Sequence, residues 1–220
     1  MKIVAFSDTH TRHTEVEIPH GDILIFAGDM SQCRTREETE NFNTFLGTLP
    51  HPHKIVIGGN HDHQLDRSPQ LARTLLTNAT YLQDQYVTIR GINIYGAPWQ
   101  PIFNARACDA FARLRGRPMR EKWDLIPDGV DILVTHTPPQ GILDEDQGVS
   151  HGCSDLLAAV QRVRPRYHVF GHIHNHNHQL TCGPTTFINC NVKGAGGVLR
   201  PATLFDYSNT SQKSQSFNVK

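Results

Sequence analysis

Ile55-Val56-Ile57-Gly58-Gly59-Asn60-His61-Asp62 is an apolar run that stops at two glycines and then presents an amide, an imidazole and a carboxylate together. The run reads as a buried strand and the polar residues as the turn at its end. An amide oxygen can bind a hard cation, and the imidazole beside it can handle a proton. Alone the pentapeptide Gly58 to Asp62 is weak evidence. It gains weight from four other apolar runs that end the same way.

Two of those runs lie upstream. Asp22 to Ala27 closes in Gly28-Asp29, where the glycine permits a sharp turn and the carboxylate sits at the strand's edge. Lys2 to Phe6 is followed by Ser7-Asp8-Thr9-His10. In extended backbone Asp8 and His10 face the same way, about 7 Å apart, and converge on one ion. Downstream, Asp131 to Val134 leads into Thr135-His136-Thr137-Pro138-Pro139, whose prolines carry the chain out of a sheet. Tyr167 to Phe170 closes in Gly171-His172-Ile173-His174. Taken singly, each has an ordinary reading as a solvated turn. Five at the same relative position do not, because ligands of α/β folds sit at the carboxyl ends of strands.

The intervening segments supply helices. Thr35 to Leu49 reads as one, with Thr35 as cap, Glu37 and Glu38 in the first turn, and a stripe of Phe42, Phe45, Leu46 and Leu49. Ser68 to Leu76, with Pro69 at its first position, is a second. Ala105 to Leu114 is a third, followed by a short one around Trp123, and Ser154 to Val163 is capped by Ser154. Tyr86 to Tyr95 turns at Arg90-Gly91 as a hairpin, and residues 96–101 form an irregular loop in which Trp99 is either a pocket wall or, the favoured reading, a core plug. Arg113, Arg115, Arg117 and Arg120 read as a solvated face in preference to a phosphate clamp. Antiparallel runs follow over Gln179 to Cys182, Thr185 to Asn189 and Ala202 to Tyr207. The fold class is α/β, with mixed sheets packed face to face. Residues 1–207 form one domain and 208–220 a polar tail.

Composition bounds the function. The 220 residues suit one domain, and 21 basic against 21 acidic side chains, with a pI near 7.2, leave no polybasic surface for nucleic acid or membrane. Fourteen histidines are the anomaly. His13, His20, His51 and His53 read as scattered surface residues, and His176 and His178 as rim. The five cysteines form no C-x-x-C pair and are odd in number, which points to reduced thiols and a cytoplasmic protein. The N-terminal stretch lacks a signal-peptide pattern, and no apolar run approaches the roughly 20 residues of a membrane span.

Carboxylate, amide and imidazole without thiolate suit Mn²⁺, with Fe, Zn²⁺ or Co²⁺ as alternatives. The candidate ligands exceed what one catalytic zinc takes, and suit two ions that share a bridging carboxylate. Such pairs clamp the attacking and leaving oxygens of a phosphoryl displacement.

The order D-x-H, G-D, G-N-H-D, H, G-H-x-H resembles the calcineurin-like metallophosphoesterase superfamily. Gly96-Ala97-Pro98-Trp99, the stretch from His136-Thr137-Pro138-Pro139 to Asp144, and His151-Gly152-Cys153 are similar to a smaller group. That group comprises the animal metallophosphoesterase-domain-containing proteins and bacterial relatives, a class III phosphodiesterase group. The resemblance implies a two-sheet β-sandwich flanked by helices, in four layers α/β/β/α. It implies that Asp8, His10, Asp29 and His174 hold one ion, and that Asp29 bridges to a second completed by Asn60, His136 and His172. His61 then steadies the phosphoryl oxygens and helps protonate the leaving group, and Asp62 joins it as the second catalytic residue, orienting His61 or standing behind it. A hydroxide bridging the ions attacks phosphorus in line.

The implied activity is a phosphodiesterase on a small diester or nucleotide, with 2′,3′- or 3′,5′-cyclic nucleotides as candidates. A phosphomonoesterase on a small metabolite and a weakly catalytic metal- or nucleotide-binding module are the alternatives. Two departures bear on this. The G-D-x-x-D-R-G of the protein phosphatases is here Gly28-Asp29-Met30-Ser31-Gln32-Cys33-Arg34, without the Asp-Arg pair. Some animal members replace the first histidine of G-H-x-H by glycine and catalyse poorly, whereas this chain keeps His172. Substrate choice is assigned to the loops around Trp99, Phe103 and His151.

Overall fold

The structure, a computed structural model, describes residues 1–32, 35–102 and 108–207. Its first half contains β1 (Lys2–Phe6), β2 (Ile23–Ala27), α1 (Arg36–Thr48), β3 (His53–Ile57), α2 (His63–Asp66), α3 (Pro69–Leu75), β4 (Thr80–Tyr81), β5 (Gln85–Ile89), β6 (Ile92–Ala97), β7 (Gln100–Pro101) and β8 (Ala112–Arg113). Its second half contains α4 (Arg117–Trp123), β9 (Ile132–Thr135), β10 (Glu145–Asp146), β11 (Val149–Ser150), α5 (Ser154–Val163), β12 (Tyr167–Phe170), β13 (Gln179–Cys182), β14 (Thr185–Asn189) and β15 (Thr203–Asp206).

Two sheets carry the fold, in the orders β15-β1-β2-β3-β4 and β13-β14-β12-β9-β6-β5. β1, β2 and β3 run parallel, with Ile3 opposite Ile23 and Ile25 opposite Ile55. β6, β9, β12 and β14 run parallel in the second sheet. The central strands are apolar throughout because both their faces are covered. One face of each sheet meets the other sheet through Ile3, Ala5, Ile25, Ile55, Ile94, Ile132, Val169 and Ile188. The opposite faces carry Phe6, Phe26, Leu133 and Phe170, packed with Phe42 and Leu46 of α1 and with Leu156 and Val160 of α5. Phe26 and Phe42 stack at 4.5 Å between centroids. The order of layers is helix, sheet, sheet, helix. Among the described residues no helix is long and apolar enough to cross a membrane.

Helix starts follow their caps. The Thr35 side chain accepts from the Glu38 amide, and Ser68 accepts from Leu71 with Pro69 just inside α3. In α5 the cap is Cys153 rather than Ser154. The expected helix from Ala105 to Leu114 does not form over its described part, residues 108–114, and its first three residues lie outside the described set. There the chain instead makes β8, with Gln100 N–H on Phe111 O at 3.2 Å and Ile102 N–H on Arg113 O at 3.0 Å. Tertiary pairing with β7 outweighs local helix propensity. Gly96 and Ala97, expected in a loop, continue β6 beside Val134 and Thr135.

Trp99 is a core plug: its Nε1 donates to Asp84 at 2.6 Å, and Lys122 Nζ lies 3.8 Å from the ring centroid. Arg113 stacks on the same ring at 4.4 Å and Arg115 donates to Gly152 O, so these two depart from the expected solvated face. His13 and His51 are buried, not surface residues. His13 packs on Phe42 and Phe45, and His51 Nε2 meets Pro19 O at 3.0 Å. Phe103, Cys33 and the tail from residue 208 lie outside the described residues.

Candidate metal centre

Five strands of the two sheets deliver polar residues from their carboxyl ends to one place. β1 is followed by Asp8 and His10, β2 by Asp29, β3 by Asn60 and His61, β9 by His136, and β12 by His172 and His174. The loops leave the sheets by sharp left-handed turns. Asp8 (φ 59°), His10 (φ 43°), Asp29 (φ 63°) and His172 (φ 69°) all occupy the region non-glycine residues avoid. Asp8 and His10 therefore converge through turned backbone and not, as the sequence suggests, by alternation along a strand. The turns are stitched together, with Asp8 N–H on Gly28 O at 3.0 Å and His10 N–H on Asp29 O at 3.1 Å. Strain of about 1–3 kcal/mol per residue persists where surroundings over-determine the backbone.

The ligand atoms crowd each other in a way hydrogen bonds alone do not explain. His10 Nε2 and His174 Nε2 face one another at 3.4 Å, and His174 Nε2 stands 3.4 Å from Asp8 Oδ1. Asn60 Oδ1 lies 2.8 Å from His136 Nε2 and 3.0 Å from His172 Nδ1. Asp29 Oδ1 is 3.4 Å from His136 Nε2, and Asp29 Oδ2 is 3.9 Å from both His10 Nε2 and His61 Nε2. Three sets, Asp8 with His10 and His174, His10 with Asp29 and His61, and Asp8 with Asp29 and His136, each keep their ligand atoms within 4.8 Å. Carboxylate and imidazole lone pairs aimed at shared points fit divalent ions.

Outer partners fix the ligands. His136 Nδ1 meets Ala27 O at 2.8 Å, which leaves Nε2 free to ligate. Asp8 is buried and accepts from the Ser7 hydroxyl and from His172 N–H at 3.0 Å. Gly59 and Gly171 are obligatory: a Cβ on Gly59 would overlap Asp29, and one on Gly171 would overlap Ser7 and Asp8.

Asp62 stands behind the centre. Its carboxylate accepts from Asp29 N at 2.8 Å, Gly59 N at 2.8 Å, Ser31 N at 3.0 Å, Ser31 Oγ at 3.0 Å and Met30 N at 3.4 Å. It ties the loop after β2 to the loop after β3. Burial, then the Asp29 charge, push its carboxyl up to about 7.

Charge is unevenly distributed. Burial works against ionising Asp8, yet the hydrogen bond from His174 and the nearby histidine charges bring it down to about 2. Asp29 is also held low: burial opposes its ionisation, and the charge of His136 outweighs it. Burial likewise disfavours the His136 imidazolium, but Asp29 raises His136 to about 9. Burial, then the His136 charge, lower His172 to about 3, and burial lowers His10.

A cavity of about 280 Å³ opens over this cluster, lined by Asp8, His10, His61 and His174 together with Arg12, Lys193 and Leu199. A larger cleft of about 710 Å³, between Arg73 and Tyr86, carries none of the clustered ligands. Several contributors are not evident from strand ends alone. Ser31 braces Asp62, and Asn191 Nδ2 donates to His174 O at 3.0 Å and His176 O at 2.9 Å. The signal for Asn191 is weaker than for the others, because β14, Thr185-Thr186-Phe187-Ile188-Asn189, mixes polar with apolar residues before Cys190-Asn191.

Residues 1–176 match the model of the calcineurin-like phosphoesterase family. The chain is 43% identical over 219 residues to metallophosphoesterase domain-containing protein 1 of Homo sapiens and equally to that of Mus musculus, covering 87% of this chain and 66% of theirs. The chain thus spans just under two thirds of the length of these relatives. A UPF0046 protein of Caenorhabditis elegans is 38% identical over 222 residues, covering 93% of this chain and 75% of that one. The structure of TT1561 of Thermus thermophilus superposes with a TM-score of 0.60 at 12% identity, covering 86% of this chain and 88% of that one. Another crystal structure gives 0.66 at 16% identity, covering 86% and 90%. Likeness at such identity shows the shared fold.

Proposed function

The chain belongs to the calcineurin-like phosphoesterase family, and from that premise we propose that it is a two-metal phosphodiesterase acting on a small, singly charged diester. Asp8, His10, Asp29 and His174 would hold one ion, and Asp29, Asn60, His136 and His172 the other. Manganese suits this mixture of carboxylate, amide and imidazole. Two such ions, when bound, acidify a water for attack on phosphorus and neutralise phosphoryl oxygens.

The protein's own groups do the rest. His61 lines the cavity with its ring a quarter exposed, and its backbone N–H donates to Asp29 Oδ1 at 2.9 Å. From there it protonates the leaving oxygen. Asp62 positions Asp29 and the His61 loop and does not touch substrate. Leu199 supplies an apolar wall for a substituent on phosphorus.

The observation that favours a diester is the charge of the side chains lining the cavity. Arg12 is already engaged, its Nε on Glu15 Oε1 at 2.9 Å and its Nη2 on Glu15 Oε2 at 2.5 Å. Beyond the charge that the two ions would supply, Lys193 is, among the described Lys and Arg side chains lining the cavity, the one not paired with a carboxylate, a small supplement that suits a diester monoanion better than a monoester dianion. The balanced overall charge makes a polyanionic nucleic acid an unsuitable substrate.

The test compares hydrolysis of bis(4-nitrophenyl) phosphate and 4-nitrophenyl phosphate by the Mn²⁺-loaded protein. A diester preference in kcat/KM is expected. A monoester preference moves the assignment to a phosphatase of small metabolites. Absence of turnover with metals bound makes the chain a metal- or nucleotide-binding module.

A further inference from the structure

Residues Cys108 to Phe111 dock one after another onto the Gly58 to His63 stretch. Cys108 Sγ lies 3.3 Å from His61 Nδ1. Asp109 Oδ1 lies 3.8 Å from His63 Nε2. Ala110 N–H donates to Asn60 O at 3.2 Å. The Phe111 ring covers Gly58 so closely that a Cβ there would overlap it. Behind this strip Trp99 meets Phe111 edge-on at 5.9 Å, and Gln100 Nε2 donates to Ala110 O at 3.0 Å. The thiol is thus held against His61 by a strip, residues 108–111, that packs on the Gly58 to His63 stretch in front and on Trp99 and Gln100 behind.

His61 needs an orienting partner if it delivers a proton, because an imidazole free to turn presents either nitrogen. The neighbouring carboxylate is engaged elsewhere, since Asp62 receives the amides of Asp29, Gly59 and Ser31. The Asp29 carboxylate is 3.9 Å from His61 Nε2, on the cavity side of the ring. The atom against Nδ1 is the sulfur of Cys108.

We propose that Cys108 is the positioning residue of His61: sulfur accepts a hydrogen bond from Nδ1–H and so turns Nε2 to the leaving group. The inference rests on the phosphodiesterase reading and deepens it. In the acid step the Nε2–H bond of the imidazolium breaks and an O–H bond forms on the departing alkoxide. The electron pair stays on Nε2, and the ring is left neutral with its remaining proton on Nδ1, held by Cys108. Solvent returns a proton to Nε2.

The test uses Cys108→Ala and Cys108→Ser with a series of methyl aryl phosphodiesters, from a 4-nitrophenol to a 4-methoxyphenol leaving group. A weaker acid catalyst matters more as the leaving group becomes more basic, so the wild-type to Cys108→Ala ratio of kcat grows about tenfold across the series. Cys108→Ser, which keeps an acceptor, recovers most of that ratio. In Zn²⁺-loaded protein, ¹⁵N NMR of the His61 ring shows the Nδ1–H tautomer, which Cys108→Ala shifts toward Nε2–H. A loss of equal size across the series, or an unchanged tautomer, overturns the proposal. If the wild-type protein cleaves no diester the phosphodiesterase reading fails, and the tautomer measurement still decides the role of Cys108.

Discussion

Replacing Asp62 by alanine separates a positioning role from a catalytic one. The carboxylate receives three short backbone amides, those of Asp29, Gly59 and Ser31, in a site 1% exposed. Each buried donor left without a partner costs about 1–3 kcal/mol. The lower end applies, because water can enter the vacated volume and the unfavourable burial of the carboxyl beside Asp29 is relieved. The expected loss is about 3 kcal/mol, a fall in Tm of about 6–12 °C for a chain of this size. Asp29 loses its anchor in the same step, so metal affinity falls with it. Asp62→Asn keeps one acceptor oxygen and loses about 1 kcal/mol. The assay is calorimetric unfolding of the metal-free and Mn²⁺-loaded proteins, with metal content measured on both. A variant that melts within about 2 °C of wild type, the effect of 1 kcal/mol or less, and keeps its metal while losing turnover would refute the positioning role.

Other expectations follow from the same geometry. Gly59→Ala, whose Cβ comes within 2.5 Å of Asp29 N and 2.8 Å of His136 Cε1, displaces the Asp29 carboxylate, and elemental analysis should find at least one ion lost. Metal binding at pH 7.5 releases about one proton from His136, whose pKa near 9 keeps it charged until it ligates; calorimetry in buffers of different ionisation enthalpy measures this. That pKa lies above the unfolded value of 6.5, so the stabilisation is fully present below pH 6.5 and is lost as pH rises through 9. The metal-free protein should therefore lose about 3 kcal/mol across that window, and His136→Asn should flatten the slope, as thermal unfolding against pH records. Trp99→Phe leaves Asp84 without its indole donor and lowers stability by about 1–2 kcal/mol, read from urea denaturation.

The sheets and the site were legible in the sequence for one physical reason. A strand buried on both faces must be apolar throughout, so the polar residue that ends it stands out, as Asp29 does after Ile23 to Ala27. Parallel strands then bring such ends to one edge. What could not be read is set by contacts distant in sequence. The 108–114 segment has helix-compatible residues, yet its Phe111 and Arg113 carbonyls accept from the amides of Gln100 and Ile102, and its Ala110 amide donates to Asn60 O. His13 and His51 look like surface residues until Phe42, Phe45 and Pro19 close over them. Asp62 reads as a catalytic neighbour of His61 because adjacency in sequence says nothing of where its carboxylate points. The left-handed turns at Asp8, His10 and His172 have no composition signal, since they arise from loops stitched to other loops.

Both the chemistry and the roles of the surrounding residues depend on these strand ends building one centre for two ions, joined by Asp29. Equilibrium dialysis against Mn²⁺, followed by elemental analysis of wild-type protein and Asp29→Asn, decides whether they do. Two ions per wild-type chain and at most one in the variant are expected. One ion in the wild-type chain, or two retained without the Asp29 carboxylate, would contradict a bridged pair.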